Sequence, residues 1–339
     1  MTDVDLRPPV TPAPVNAHDT ARSHWIRSST EPGLSLHVRS HEADTDAPPV
    51  LFVHGATCGS RLYDIPVPGA NWLKSCRDAG FNAYALDVRG YGLSHSAVME
   101  NQTAPYGRAA EIIHDIDDVV DWIRSRHGID RIALVGGSWG SVTSSLFVSG
   151  PGRDKIDRLV LYAPIYAERN ADWIDLLADP SDRQRLNPEF GAARLVTLEQ
   201  TRQRWDSELP ADAIETWRDE AVLRTLMQTC FADDPDSGRH DPPAYRAPNG
   251  TLVDLWSCFR GIPLVAPERI TCPTLLIRGS ADTTSTRGDA LALFDLLGSH
   301  VKRYVEIAHG SHFASAERNG WQIFDETNAF LASASKSVR

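Results

Sequence analysis

The stretch RIALVGGSWG, residues 131–140, joins four apolar residues, Ile132 to Val135, to the cluster Gly136-Gly137-Ser138-Trp139-Gly140. Residues 141–149 continue as a helix-like segment. A G-x-S-x-G cluster is informative in this strand–turn–helix setting, because it then holds a serine in a sharp, strained turn. Bulky side chains at 136 and 140 would collide with neighbouring strands and with the following helix. With small residues there, the hydroxyl projects at the carboxyl edge of a sheet, and the helix N-terminus favours negative charge developing beside it. Outside that setting the same five residues are only a glycine-rich turn.

Similar runs recur on both sides. Residues 49–54 (PVLFVH), 82–87 (NAYALD), 131–136 (RIALVG), 158–163 (RLVLYA), 274–279 (TLLIRG) and 302–307 (KRYVEI) are predicted strands. Several are apolar almost throughout, as strands covered by helices on both faces must be. Residues 108–126 place Ala109, Ile112, Ile113, Ile116, Val119, Val120 and Ile123 on one stripe. Asp115, Asp117, Asp118 and Asp121 fall largely off it, which predicts an amphipathic helix. Further helices are expected over 141–149, 287–297 and 321–331. This alternation implies an α/β class with a mainly parallel sheet. Residues 24–27 and 34–39 are expected to add an antiparallel edge.

The alternation stops after Tyr162-Ala163-Pro164 and resumes at Cys272-Pro273-Thr274. The residues between are helix-biased, with Trp173, Trp205, Trp217 and Trp256 set among charges. The expected organisation is a disordered proline-rich tail over 1–22, a core of 23–164 and 271–334, and an inserted helical cap over 165–270.

The 339 residues carry 34 Lys+Arg against 45 Asp+Glu, a net charge of -11. That balance lacks the basic footprint of a nucleic-acid binder and is repelled by anionic membrane surfaces. No apolar run approaches the ~20 residues needed to span a bilayer. Cys58, Cys76, Cys230, Cys258 and Cys272 are scattered and form no C-x-x-C pair, so neither a disulfide scaffold nor a zinc spacing is expected. They read as small buried hydrophobes. With no secretory signal visible at the N-terminus, a cytoplasmic location is expected.

A serine is a weak nucleophile until a base, itself oriented by an acid, takes its proton. In the chain order that accompanies this elbow, the acid follows a later strand and the histidine comes near the C-terminus. Ser280-Ala281-Asp282 follows the strand at 274–279, which makes Asp282 the candidate acid. Two histidines follow the strand at 302–307, in Ala308-His309-Gly310-Ser311-His312-Phe313. His312, beyond the Gly310 turn, is the candidate base, and His309 is expected to pack or support the loop. Acyl transfer also needs donors for an oxyanion, and the backbone N–H groups of Ala56 and Trp139 are the natural pair. His54 is expected to hold its loop through ring hydrogen bonds, and Asp87 and Arg89 to fix the Asp87–Ser94 turn by ion pairing.

H-G-A-T at 54–57, D-V-R-G-Y-G-L-S at 87–94, G-G-S-W-G at 136–140, G-S-A-D at 279–282 and G-S-H-F at 310–313 resemble the α/β-hydrolase superfamily in content and order. The resemblance covers about residues 24–334. It implies an eight-stranded, mostly parallel sheet flanked by helices, and no metal or organic cofactor. The elbow G-G-S-W-G-S looks like that of proline iminopeptidases. Those enzymes usually read H-G-G-P-G at the oxyanion loop, whereas this chain has His54-Gly55-Ala56-Thr57-Cys58. A serine at the elbow also argues against the haloalkane dehalogenases and epoxide hydrolases of the superfamily, which use aspartate there.

The expected function is hydrolysis of carboxylic esters of small apolar or aromatic substrates through an acyl-enzyme, with Trp139 and the cap tryptophans suggesting an aromatic-friendly pocket. Amide or aminopeptide hydrolysis is the alternative, and it requires a cap carboxylate such as Glu199, Asp206 or Glu208 to bind the substrate amine. A non-catalytic small-molecule receptor on the same scaffold is the alternative of another class.

Overall fold

The computed structural model describes residues 21–96, 99 and 101–333. The tail expected over 1–22 lies outside the described residues except for Ala21 and Arg22, and Arg22 already opens the first strand. Residue 334, the expected end of the core, also lies outside them.

In chain order the elements are β1 (Arg22–Arg27), β2 (Ser35–His41), β3 (Pro49–Val53), α1 (Trp72–Asp78), β4 (Asn82–Asp87), α2 (Ala109–His127), β5 (Ile132–Gly137), α3 (Trp139–Ser149) and β6 (Ile156–Tyr162). Then follow α4 (Ala171–Leu177), β7 (Ala178–Asp179), β8 (Asp182–Leu186), β9 (Ala193–Thr197), α5 (Leu198–Asp206), α6 (Ile214–Trp217), α7 (Glu220–Asp233), β10 (Ala244–Pro248) and α8 (Gly250–Phe259). The chain ends through β11 (Thr274–Gly279), α9 (Arg287–Leu296), β12 (Lys302–Ile307) and α10 (Trp321–Ala332).

Eight strands form one sheet in the order β1-β2-β4-β3-β5-β6-β11-β12. From β4 to β12 every pairing is parallel, and β2 is antiparallel to both of its neighbours. The fold is that of an α/β hydrolase, with helices on both faces. The two-face reading is visible residue by residue. In β3, Val50 and Phe52 join the cluster that packs Trp72 of α1 and Phe324 of α10, while Leu51 and Val53 join the cluster that packs Ile116 and Val119 of α2. Strand side chains alternate between faces, so an unbroken apolar run is what two buried faces require. Helix α2 ends at Gly128, whose φ of 64° is the left-handed cap that a residue with a Cβ adopts only at a cost.

Between β6 and β11 the chain leaves the sheet. Asp289 in α9 pins the exit by accepting hydrogen bonds from the amides of Tyr166, Ala167 and Glu168 at 2.7, 2.8 and 2.7 Å. The segment is mainly helical, but it also holds two small antiparallel ribbons, β7–β8 and β9–β10, that the helix-biased reading of 165–270 did not anticipate. Its apolar residues, among them Trp205, Leu223 and Phe259, merge with the core on the α2–α3 face of the sheet. Among the described residues no helix is long and apolar enough to cross a membrane.

Candidate active site

Because β3, β5, β11 and β12 run parallel, the loops that follow them open at the same carboxyl edge of the sheet. Those loops carry Ala56, Ser138, Asp282 and His312. Ser138 sits between β5 and α3 with φ 55° and ψ -123°, a strained conformation for a residue with a side chain. The glycines around it are required by close approach. A Cβ at Gly136 would lie 2.4 Å from the carbonyl oxygen of Gly140, and one at Gly140 would lie 2.3 Å from that of Val53. A Cβ at Gly55 would stand 2.9 Å from the Cβ of Ser138, so the loop after β3 presses its backbone onto the serine.

The Ser138 hydroxyl lies 2.8 Å from His312 Nε2, and His312 Nδ1 lies 2.9 Å and 3.0 Å from the two carboxylate oxygens of Asp282. A carboxylate only accepts, so Nδ1 carries the ring proton, and Nε2 of the neutral ring accepts from the serine hydroxyl. Asp282 is buried and held by two further donors, the amides of Thr284 at 2.9 Å and Ser285 at 2.8 Å. The structure therefore brings together three residues that the sequence places far apart. His309 goes elsewhere, with its ring edge-on to Trp217 at 5.4 Å between centroids.

Trp139 follows the serine directly, and Ala56 follows Gly55, whose backbone presses on it. The Trp139 amide is the first in α3, where an α-helix has no internal acceptor for it. The Trp139 indole is fully buried and donates to Asp254 of α8 at 3.3 Å, so it serves packing rather than an open pocket. The Ala56 carbonyl accepts from the Tyr91 hydroxyl at 2.7 Å and also from Arg194 of β9. His54 is buried, donates through Nδ1 to the Gly55 carbonyl at 2.8 Å and accepts from the Val88 amide at 3.2 Å. Burial pushes its pKa down, which favours the neutral ring this pattern needs.

Asp87 and Arg89 do not pair with each other, contrary to the sequence reading. Asp87 is enclosed between His37 of β2 at 2.9 Å, Arg39 at 3.5 Å and the Ser60 amide at 2.7 Å. Arg89 turns to Asp115 of α2, with its Nε 2.9 Å from the carboxylate. The chain reverses in the glycine turn after β4, so the two charges leave in different directions. Asp115, placed off the apolar stripe, is accordingly buried.

The three carboxylates read as candidate amine ligands, Glu199, Asp206 and Glu208, are all engaged. Glu199 pairs with Arg202 at 2.6 Å, and Asp206 with Arg218 at 2.8 Å. Glu208 accepts from Arg204 and Thr283 at 2.8 Å each and from the His312 amide at 2.6 Å. Sequence pattern gave no sign of Glu317, which accepts from the Trp205 indole at 2.9 Å, from the Ser311 amide at 3.1 Å and from the Ser311 hydroxyl. Burial is the chief reason its pKa rises to about 7, with Glu208 adding to the rise. The cap tryptophans mostly act as joints: Trp173 donates to Thr284 at 3.1 Å, and Trp205 stacks on Phe313 at 4.9 Å. Among the described residues no three His, Cys, Asp or Glu side chains gather to hold a metal ion. A hollow of about 470 Å³ lined by Pro49, His127, Arg131 and Asp157 opens at the amino edge of the sheet, away from Ser138.

A family model described as the alpha/beta hydrolase fold matches residues 48–318. An uncharacterized 31.7 kDa protein of the traX-finO intergenic region of Escherichia coli is 21% identical over 282 residues, 83% of this chain and 88% of that protein. A bromoperoxidase from Bacillus anthracis superposes with a TM-score of 0.65 at 16% identity, covering 92% of this chain and 100% of the other. A thermophilic esterase from Thermogutta terrifontis does so with a TM-score of 0.61 at 17% identity, covering 92% and 98%.

Proposed function

The chain belongs to the alpha/beta hydrolase fold family, and from that premise we propose that it is a serine hydrolase that cleaves carboxylic esters of small apolar or aromatic substrates. The observation that carries this reading is the unbroken line from Ser138 Oγ through the His312 ring to Asp282, with each step at hydrogen-bond length.

In the proposed reaction His312 Nε2 takes the hydroxyl proton as Ser138 Oγ attacks the ester carbonyl. Asp282 holds the ring through Nδ1–H and stabilises the imidazolium that forms. The N–H groups of Ala56 and Trp139 receive the tetrahedral oxyanion. The imidazolium gives its proton to the leaving alcohol as the acyl-enzyme forms. A water, deprotonated by Nε2, then releases the acid and restores the serine. The amide reading is weaker because Glu199, Asp206 and Glu208, its candidate amine ligands, already have partners.

The test is a turnover panel of aryl esters, alkyl esters, anilides and aminoacyl amides, run with fluorophosphonate labelling. Ester turnover and labelling are expected. Ser138→Ala should abolish labelling and lower kcat by about six orders of magnitude. Near-full turnover in that variant, or an intact protein that neither turns over esters nor takes the label, would overturn the proposal, and the latter result would point to a receptor.

A further inference from the structure

Three features converge on Glu208. Its side chain is almost wholly buried, at 1% exposure, although it belongs to the segment inserted between β6 and β11. One oxygen accepts from the His312 amide at 2.6 Å. The other accepts from the hydroxyl of Thr283, the neighbour of Asp282, at 2.8 Å. A single carboxylate from the cap thus ties the loop after β11 to the loop after β12. Arg204, in the last turn of α5, lies 2.8 Å away and supplies the opposite charge.

We infer that Glu208 is a positioning residue, through which the cap sets the distance and orientation between Asp282 and His312. This inference rests on the hydrolase reading above. The roots of the two loops are joined by the Ala281 amide on the Gly310 carbonyl at 2.8 Å and the His309 amide on the Ser280 hydroxyl at 3.1 Å, and further out they meet through the Asp282–His312 bond and this bridge. Helix α5 is itself registered on the core by Trp205, which stacks on Phe313, the residue after His312, and donates to Glu317. The carboxylate is therefore delivered from the turn that ends a fixed helix. A bare ion pair with Arg204 would not require Glu208 to reach across two loops. An amine-binding role would need a carboxylate edge facing substrate, and both oxygens of Glu208 are occupied by the protein.

Displacing a catalytic group by about 1 Å costs on the order of 100-fold in rate. Glu208→Ala is expected to slow both fluorophosphonate labelling and kcat for an aryl acetate by about 10- to 100-fold, with KM changed by less than about threefold. Glu208→Gln, which keeps an acceptor for the His312 amide but turns its NH2 toward Arg204 and the Thr283 hydroxyl, should recover part of that loss. If the alanine variant does not fold, Glu208→Gln and Thr283→Val are read together, and a several-fold slower label in the threonine variant is expected. Unchanged labelling in Glu208→Ala, or in Thr283→Val where the alanine variant does not fold, overturns the inference. So does a rise in KM alone, confined to substrates with a free amine. A second readout does not depend on turnover. The downfield proton resonance of the His312 Nδ1–H held by Asp282 should be present in the native protein and in Glu208→Gln, and should broaden or vanish in Glu208→Ala. Its persistence there overturns the positioning role even if the native protein proves inert to esters, a result that would instead count against the hydrolase reading.

Discussion

Glu317 shows how much a single residue near the histidine loop can shape the behaviour of the whole chain. Its pKa stands at about 7 in the folded protein against an ordinary 4.5, because burial penalises its charged form more than its three donors favour it. As pH rises from about 4.5, the unfolded chain releases this proton while the folded one keeps it until about pH 7. The unfolded state thus binds fewer protons across that window, and stability must fall as pH rises through it and level off above. A shift of this size corresponds to on the order of 3 kcal/mol. Glu317→Gln should therefore flatten the stability profile between pH 5 and 8 relative to the parent, as measured by urea denaturation. Equal slopes in the two proteins would show that Glu317 titrates normally. The serine, aspartate and histidine positions were legible in the chain because each sits at a fixed place after a readable strand. Glu317 and Glu208 were not, since their roles arise from contacts across the fold and no local pattern marks them.

At the scale of elements, a helix of the segment between β6 and β11 and a helix on the sheet share one carboxylate. Asp254 of α8 accepts from the Ala109 amide at 2.6 Å, from Arg108 at 2.6 Å and from the Trp139 indole. It thereby caps the N-terminus of α2, where the helix leaves its first amides without internal partners. The same group steadies the residue after Ser138. Replacing it strands an arginine, an amide and an indole at once, and Asp254→Ala is expected to cost about 3 kcal/mol in stability by thermal or urea unfolding. A loss below about 1 kcal/mol would mean that water replaces the carboxylate freely. The strands at 82–87 and 274–279 were read to the residue because their apolar runs end in turn-forming residues, and the one at 302–307 (KRYVEI) because Tyr304, Val305 and Ile307 lead into the Ala308–Gly310 turn. The ribbons of the cap escaped that reading for a physical reason. Strand β8 reads DRQRL and is mostly exposed, and β9 pairs with β10 across a long intervening stretch with no hairpin turn to announce it.

For the molecule as a whole, the segment between β6 and β11 builds onto the cluster on the α2–α3 face of the sheet, with Trp205 and Phe259 in the same cluster as Leu134 and Ile116. Elements that bury surface in common should melt in common. Urea unfolding followed by tryptophan fluorescence, which samples nine tryptophans, four of them between β6 and β11, and by far-UV circular dichroism, which samples the helices and strands of the whole chain, should give coincident midpoints. Separated midpoints or a second transition would mean that the chain does not melt as one unit. The insertion between β6 and β11 has a temporal side too. Ser138 precedes His312 by 174 residues. On a ribosome that interval lasts roughly 10–35 s. Throughout it the elbow can form against β3 and β6 while its proposed base does not yet exist. A nascent chain that has not yet reached residue 312 carries the serine without the base proposed to take its proton.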